Sequence, residues 1–132
     1  MIHTKVAVVL ETMWGDHVRR APRWFRINQY NHSGKRLYKL VDSTDLLVTN
    51  ACKYMVTSPN DHGKPDPVWL AENLQRVHCD LLLVCGKVAQ ETFDKCRYTP
   101  LCKVLKMPHP AWRGWTKALL KEWQHLIKES LL

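Results

Sequence analysis

Three stretches of the chain are nearly continuous in apolar or β-branched residues: Lys5–Leu10 (KVAVVL), Leu46–Asn50 (LLVTN) and Leu81–Cys85 (LLLVC). Runs this short, without alternation of polar and apolar positions, are the pattern of strands buried on both faces. A fourth run, Lys103–Lys106 (KVLK), is shorter and also reads as a strand. Between the runs the spacing becomes helical. Helices are predicted at about 33–41 after Ser33, about 66–78 with Pro65 and Pro67 at its start, and about 87–95. A last one, about 116–131, carries an apolar stripe of Leu119, Leu120, Trp123, Leu126, Ile127 and Leu131. Strand and helix in alternation predict an α/β fold, a three-layer α/β/α sandwich around a short, mainly parallel four-stranded sheet. There is no internal repeat, low-complexity tract or linker, and 132 residues suit one domain over 1–132.

Composition narrows the class. Hydrophobic residues at 45% and charged residues at 24% are those of a globular protein, and no apolar run approaches the roughly 20 residues of a membrane span. The opening MIHTKVAVVLE is too short in its apolar part for a signal peptide, and bulky Met13 and Trp14 follow Glu11 where cleavage needs small residues. An intracellular monomer, in cytoplasm or nucleoid and without membrane contact, is expected. Cys52, Cys79, Cys85, Cys96 and Cys102 are odd in number and contain no CxxC pair, so neither a disulfide framework nor a zinc ribbon is expected. All five read as thiols, Cys85 as core. No histidine stands at close ligand spacing from Cys96 or Cys102, and no metal or other cofactor is expected.

The formal net charge of +8 points to a polyanionic partner, and its distribution sharpens the point. Arg19, Arg20, Arg23, Arg26, Lys35, Arg36 and Lys39 cluster around Trp24, Phe25 and Tyr30, with Asp16 the nearby acid. Lys103, Lys106, Arg113, Lys117 and Lys121 form a second cluster with Trp112 and Trp115. Basic residues interleaved with aromatics hold phosphates and stack bases; the competing reading is a solvated basic face.

In a parallel sheet the ligand site gathers at the carboxyl ends of the strands. Those ends carry Glu11 and Asp16, then Asn50 and Lys53, then Gly86, and finally His109. His109 lies in the segment MPHPAWRGW, where Pro108 and Pro110 fix their own φ and push Met107 and His109 into extended backbone. Such a segment is either a stiff reactive loop or a proline turn whose tryptophans pack on the core.

The stretches LLVTNACKYMVTSPNDHGKPDPVWLAENL, LLLVCGKVAQETF and KVLKMPHPA together resemble the uracil-DNA glycosylase superfamily, especially its bacterial and archaeal branches. In those branches a strand ends in Asn before a Lys-containing, Pro-rich loop, a later strand ends in Gly before an alanine-bearing helix, and a final strand ends in His-Pro-Ser. Asn50, Lys53, Gly86, Ala89 and His109-Pro110-Ala111 stand at these places. The resemblance spans roughly residues 5 to 115. Ala111 replaces the usual Ser, and of the Gly-Glu-Ala-Pro-Gly type turn after the first strand only Glu11 and a displaced Gly15 match. The cysteines that hold an iron–sulfur cluster in some branches have no counterparts, Tyr54 standing where one belongs, so the resemblance implies a member without the cluster.

The resemblance implies an enzyme that binds single- or double-stranded DNA, flips out a uracil or modified base and hydrolyses its N-glycosidic bond. It implies Phe25 or Trp24 stacked on the base and Asn50 reading its edge, with His109 stabilising the departing anion and Glu11 or Asp16 orienting water. Trp112, Arg113, Lys53, Arg19 and Arg20 are then the DNA contacts. Two other readings stay open: a non-catalytic nucleic-acid-binding module acting as sensor or inhibitor, and a hydrolase of free nucleosides or nucleotides.

Overall fold

The computed structural model describes residues 1–58 and 60–132. Four strands and four helices alternate: β1 (Ile2–Leu10), α1 (His32–Val41), β2 (Leu46–Asn50), α2 (Pro67–Leu74), β3 (Val77–Cys85), α3 (Lys87–Asp94), β4 (Lys103–Met107) and α4 (Lys117–Ser130). All strand pairs in the sheet are parallel, in the order β2-β1-β3-β4. The expected three layers are present. Val6, Val8 and Leu10 of β1 face Leu37, Leu40 and Val41 of α1 and Ile127 of α4, whereas Ala7 and Val9 face Leu70 and Leu74 of α2 and Ala89 of α3. Alternate side chains of a strand point to opposite faces, so a run that is apolar at every position is covered on both.

Two strands start earlier than their apolar runs. Ile2 pairs with Val77 and His3 with His78, which extends β1 and β3 through polar positions. That pairing also shortens α2, expected to reach residue 78. The helix ends at Leu74, the Arg76 N–H turns back to the Asn73 carbonyl at 3.0 Å, and Val77 joins the sheet. Each helix start fits the capping rule except that of α3. The side chains of Asn31, Asp66 and Thr116 accept from the N–H groups of Gly34, Trp69 and Leu119, and Asn31 rather than Ser33 opens α1.

The chain order has one reversal. From β1 it moves to β2 on one side, then returns across β1 to β3 and β4 on the other. The carboxyl ends of β1 and β3 therefore lie at a topological switch point, where diverging loops leave a crevice. The loops that wall this crevice are tied to the sheet by backbone hydrogen bonds. The Phe25 and Val48 backbones exchange two bonds of 2.9 Å, Ala51 N–H donates to the Leu10 carbonyl at 2.8 Å, and Gly86 N–H donates to the Met107 carbonyl at 2.9 Å.

Leu83 is fully buried in the central strand β3. Leu83→Ala should cost about 2–5 kcal/mol in urea unfolding, the range for emptying a packed leucine site. Leu101→Ala, at a site 98% exposed, should change stability by no more than about 0.5 kcal/mol.

Candidate functional site

A cavity of about 570 Å³ opens at the carboxyl edge of the sheet. It is lined by Glu11 to Trp14 after β1, Phe25 and Ile27, the start of α1, Asn50 at the end of β2, Asp61 and His62, and His109 with Ala111 after β4.

His109 is the most constrained of these groups. Its carbonyl accepts from the Trp112 backbone N–H and from the Trp115 indole Nε1, both at 2.9 Å. Its ring Nδ1 accepts from the Ala111 N–H at 3.0 Å. With Nδ1 serving as acceptor, the proton of the neutral ring sits on Nε2. Burial lowers the pKa of His109 from its ordinary 6.5, against the Glu11 carboxylate, which raises it, while His32 lowers it further. The site thus presents a neutral imidazole with one N–H to offer. Gly86 stands behind it at φ +87, a conformation that side chains rarely adopt, and a Cβ at Gly86 would lie 3.3 Å from the His109 Cβ. The Gln90 side chain holds the strand end by donating to the Met107 carbonyl at 2.9 Å.

Asn50 lies on the same cavity with 1% of its surface exposed, and its amide Nδ2 has no hydrogen-bond partner among the described residues. An unpaired buried amide donor costs about 1–3 kcal/mol. Glu11 is partly buried and meets the exposed His62 at 3.7 Å between Oε2 and Nδ1. Gly63, next to His62 in the chain, packs closely on Thr12 and Cys52: a Cβ there would come within 2.9 Å of Thr12 Oγ1 and 2.8 Å of Cys52 Sγ.

Phe25 and Trp24 part company. In the extended segment that pairs with β2, successive side chains take opposite faces. Phe25 lines the cavity, while Trp24 packs on the α2 and α3 face and its indole N–H donates to the Asn73 carbonyl at 2.9 Å. Asn73 is tied in turn to Thr49 at 3.1 Å and to Arg23 at 2.8 Å. Asp16 is exposed and does not line the cavity, which leaves Glu11 as the expected acid present there.

Arg19, Arg20 and Lys53 are brought together by a short antiparallel ribbon: Met55 N–H donates to the Arg19 carbonyl at 2.7 Å and Ala21 N–H to the Lys53 carbonyl at 2.8 Å. The ribbon joins the cavity at Val56, which pairs with Trp14. The Lys53 ammonium lies 5.8 Å from the Tyr54 ring centroid. Trp112 and Arg113 are exposed beyond Ala111; the Trp112 indole covers Gly114 and meets Trp115 edge-on at 6.2 Å. Sequence reasoning missed Asn31, His32, Asp61 and His62. Asn31 and His32 had one signal, their place at the predicted start of the first helix; Asp61 and His62 lie on a long connection without periodicity. Among the described residues no group of three or more His, Cys, Asp or Glu side chains could hold a metal, and no helix is long and apolar enough to cross a membrane.

The family model described as the uracil DNA glycosylase superfamily matches residues 19–129. No curated protein matches the chain.

His109 should titrate below 6.5 in an NMR experiment on its imidazole, with the Nε2–H tautomer populated at pH 7. Because its folded pKa is depressed, the unfolded chain binds a proton first. Its contribution to stability is therefore full above about 6.5 and is lost as pH falls from there through the folded pKa. His109→Ala should remove that component from the stability-against-pH curve.

Proposed function

This chain belongs to the uracil DNA glycosylase superfamily, and from that membership and the chemistry of the cavity we propose that it binds DNA, takes up an extruded uracil or modified base and hydrolyses its N-glycosidic bond. The observation that carries the proposal is the pairing, on one cavity, of a buried amide donor without a partner and a neutral imidazole with an available Nε2–H. A flipped base supplies what both lack. The Asn50 amide offers two donors and an acceptor to the edge of a pyrimidine, and Phe25 offers a ring face on which it stacks.

In the reaction the bond from the sugar C1′ to the base nitrogen breaks, and its electron pair leaves with the base. His109 Nε2–H donates to the oxygen on which that charge develops and remains neutral otherwise, an electrostatic role needing no proton transfer. Glu11 orients the water that adds to C1′ and accepts its proton, and its negative charge favours the cationic sugar of the transition state. The base anion gains a proton from solvent. Arg19, Arg20 and Lys53 on one side and Arg113 on the other grip phosphates. Trp112 fills the gap left in the base stack.

Labelled oligonucleotides carrying uracil, modified bases or normal bases, followed by alkali, test this reading through strand scission at abasic sites. His109→Ala should keep DNA affinity while single-turnover cleavage falls roughly 10²–10³-fold. Glu11→Gln should also slow cleavage, and Asp16→Asn should not. DNA binding with no scission on any substrate assigns the chain to the non-catalytic reading instead.

The division between gripping and reading is separately testable by titration. Arg113→Ala should weaken binding to every sequence and reduce the slope of log K against log salt by about 1. Asn50→Ala should weaken binding only where the oligonucleotide carries the target base.

A further inference from the structure

A second cavity, of about 530 Å³, lies at the amino-terminal end of the sheet, away from Asn50 and His109, and Cys79, Asp80, Tyr98 and Cys102 are among its lining. Cys79 stands on β3 and Cys102 in the connection from α3 to β4, immediately before that strand. Their Sγ atoms are 3.3 Å apart in a hydrogen bond that either thiol can donate. Both residues are half-buried, so a small oxidant reaches them through the cavity, whereas Cys52 and Cys85 are buried. The Cys96 thiol is directed at the carbonyls of Pro67 and Thr92, 3.3 and 3.5 Å away.

We propose that Cys79 and Cys102 form a redox modification site, closed to an intramolecular disulfide by a peroxide and reopened by a thiol reductant. The Cys102 thiolate attacks one peroxide oxygen, the O–O bond breaks, and water leaves with one further proton, giving a sulfenic acid on Cys102. The Cys79 sulfur then attacks the Cys102 sulfur, the S–O bond breaks, and the hydroxide leaves as water with the Cys79 proton. Two thiols and one peroxide become one disulfide and two waters.

The geometry favours these roles in this order. The sulfurs must approach from 3.3 Å to the disulfide distance of about 2.0 Å. Cys102 lies outside both flanking elements, so side-chain rotation and a loop adjustment suffice. With Cys79 as the donor, the shared hydrogen bond lowers Cys102 to about 7 although burial and Asp80 raise it, and the same hydrogen bond, with burial and Asp80, holds the Cys79 proton on. Burial raises Cys52, Cys85 and Cys96. Cys102, on the connection ahead of β4, can turn toward the peroxide and is the attacking sulfur, while Cys79, held within β3, is the resolving one.

Hydrogen peroxide added to the reduced protein at neutral pH, with intact mass and peptide mapping of blocked thiols, tests the assignment. A Cys79–Cys102 disulfide should form within one chain, roughly tenfold faster than any change at Cys52 or Cys85, and dithiothreitol should restore both thiols. Cys79→Ser should accumulate a sulfenic acid on Cys102 that dimedone traps. Cys102→Ser should leave Cys79 reduced over the same interval, with circular dichroism showing both variants folded. Oxidation of wild-type Cys102 to the sulfinic acid, a disulfide to any other cysteine or to a second chain, or equal reactivity of all five thiols would overturn it.

Discussion

The parallel register of β1 between β2 and β3 is the constraint from which the remaining geometry follows. Val6 to Leu10 are matched to Leu46 to Asn50 on one side, and Val6 to Val9 to Leu81 to Val84 on the other. Shifting a strand by one residue would exchange its two faces. Here it would trade the α1 and α4 contacts of β1 for those of α2 and α3, layers built from side chains of different size. With the register held, the strands end at one level, and Glu11, Asn50 and Gly86 leave the sheet along a single edge. Asn50 is buried because it is the last residue of a strand covered on both faces.

The His109 loop adds a second level of restraint to the first. Prolines limit the backbone on either side, but they do not choose the ring's tautomer or the direction of its free N–H. Those depend on the Ala111 N–H and on the carbonyl of His109 being held by Trp112 and Trp115. The two prolines and the tryptophans thus form a turn packed on the core that also sets the His109 ring on the cavity wall. Trp115 is partly buried against the core and supports the loop, while Trp112 remains exposed beside the cavity.

Much of this was legible in the sequence because continuous apolar runs have few other homes than a doubly covered sheet, and strand ends then locate Asn50 and His109 without further information. The misplacements share a cause. Trp24 and Phe25 are adjacent aromatics in a loop, and nothing local says which one an edge pairing will turn toward the cavity; the Asn73 carbonyl, 49 residues away in sequence from Trp24, does. Asp16 and Glu11 differ by five positions on a loop whose path is set by pairing of Trp14 with Val56. The end of α2 was hidden for a related reason, since the sheet's claim on Val77 and His78 outweighs any helical preference there. The meeting of Cys79 with Cys102 is again a long-range event, which thiol spacing in the sequence does not encode.

The Phe25 pairing with Val48 has a consequence for the chain's behaviour among its own copies. A small parallel sheet exposes two lateral rows of backbone donors and acceptors, each a template for a stray strand. On the β2 side the Phe25 segment occupies backbone groups that such a strand would use, in the middle of the edge. On the β4 side the strand is only five residues long and carries exposed lysines at 103 and 106, whose charges would be brought together if two such edges met. The same short segment that sets Phe25 on the cavity wall thereby helps keep the folded chain from extending its sheet into a neighbour.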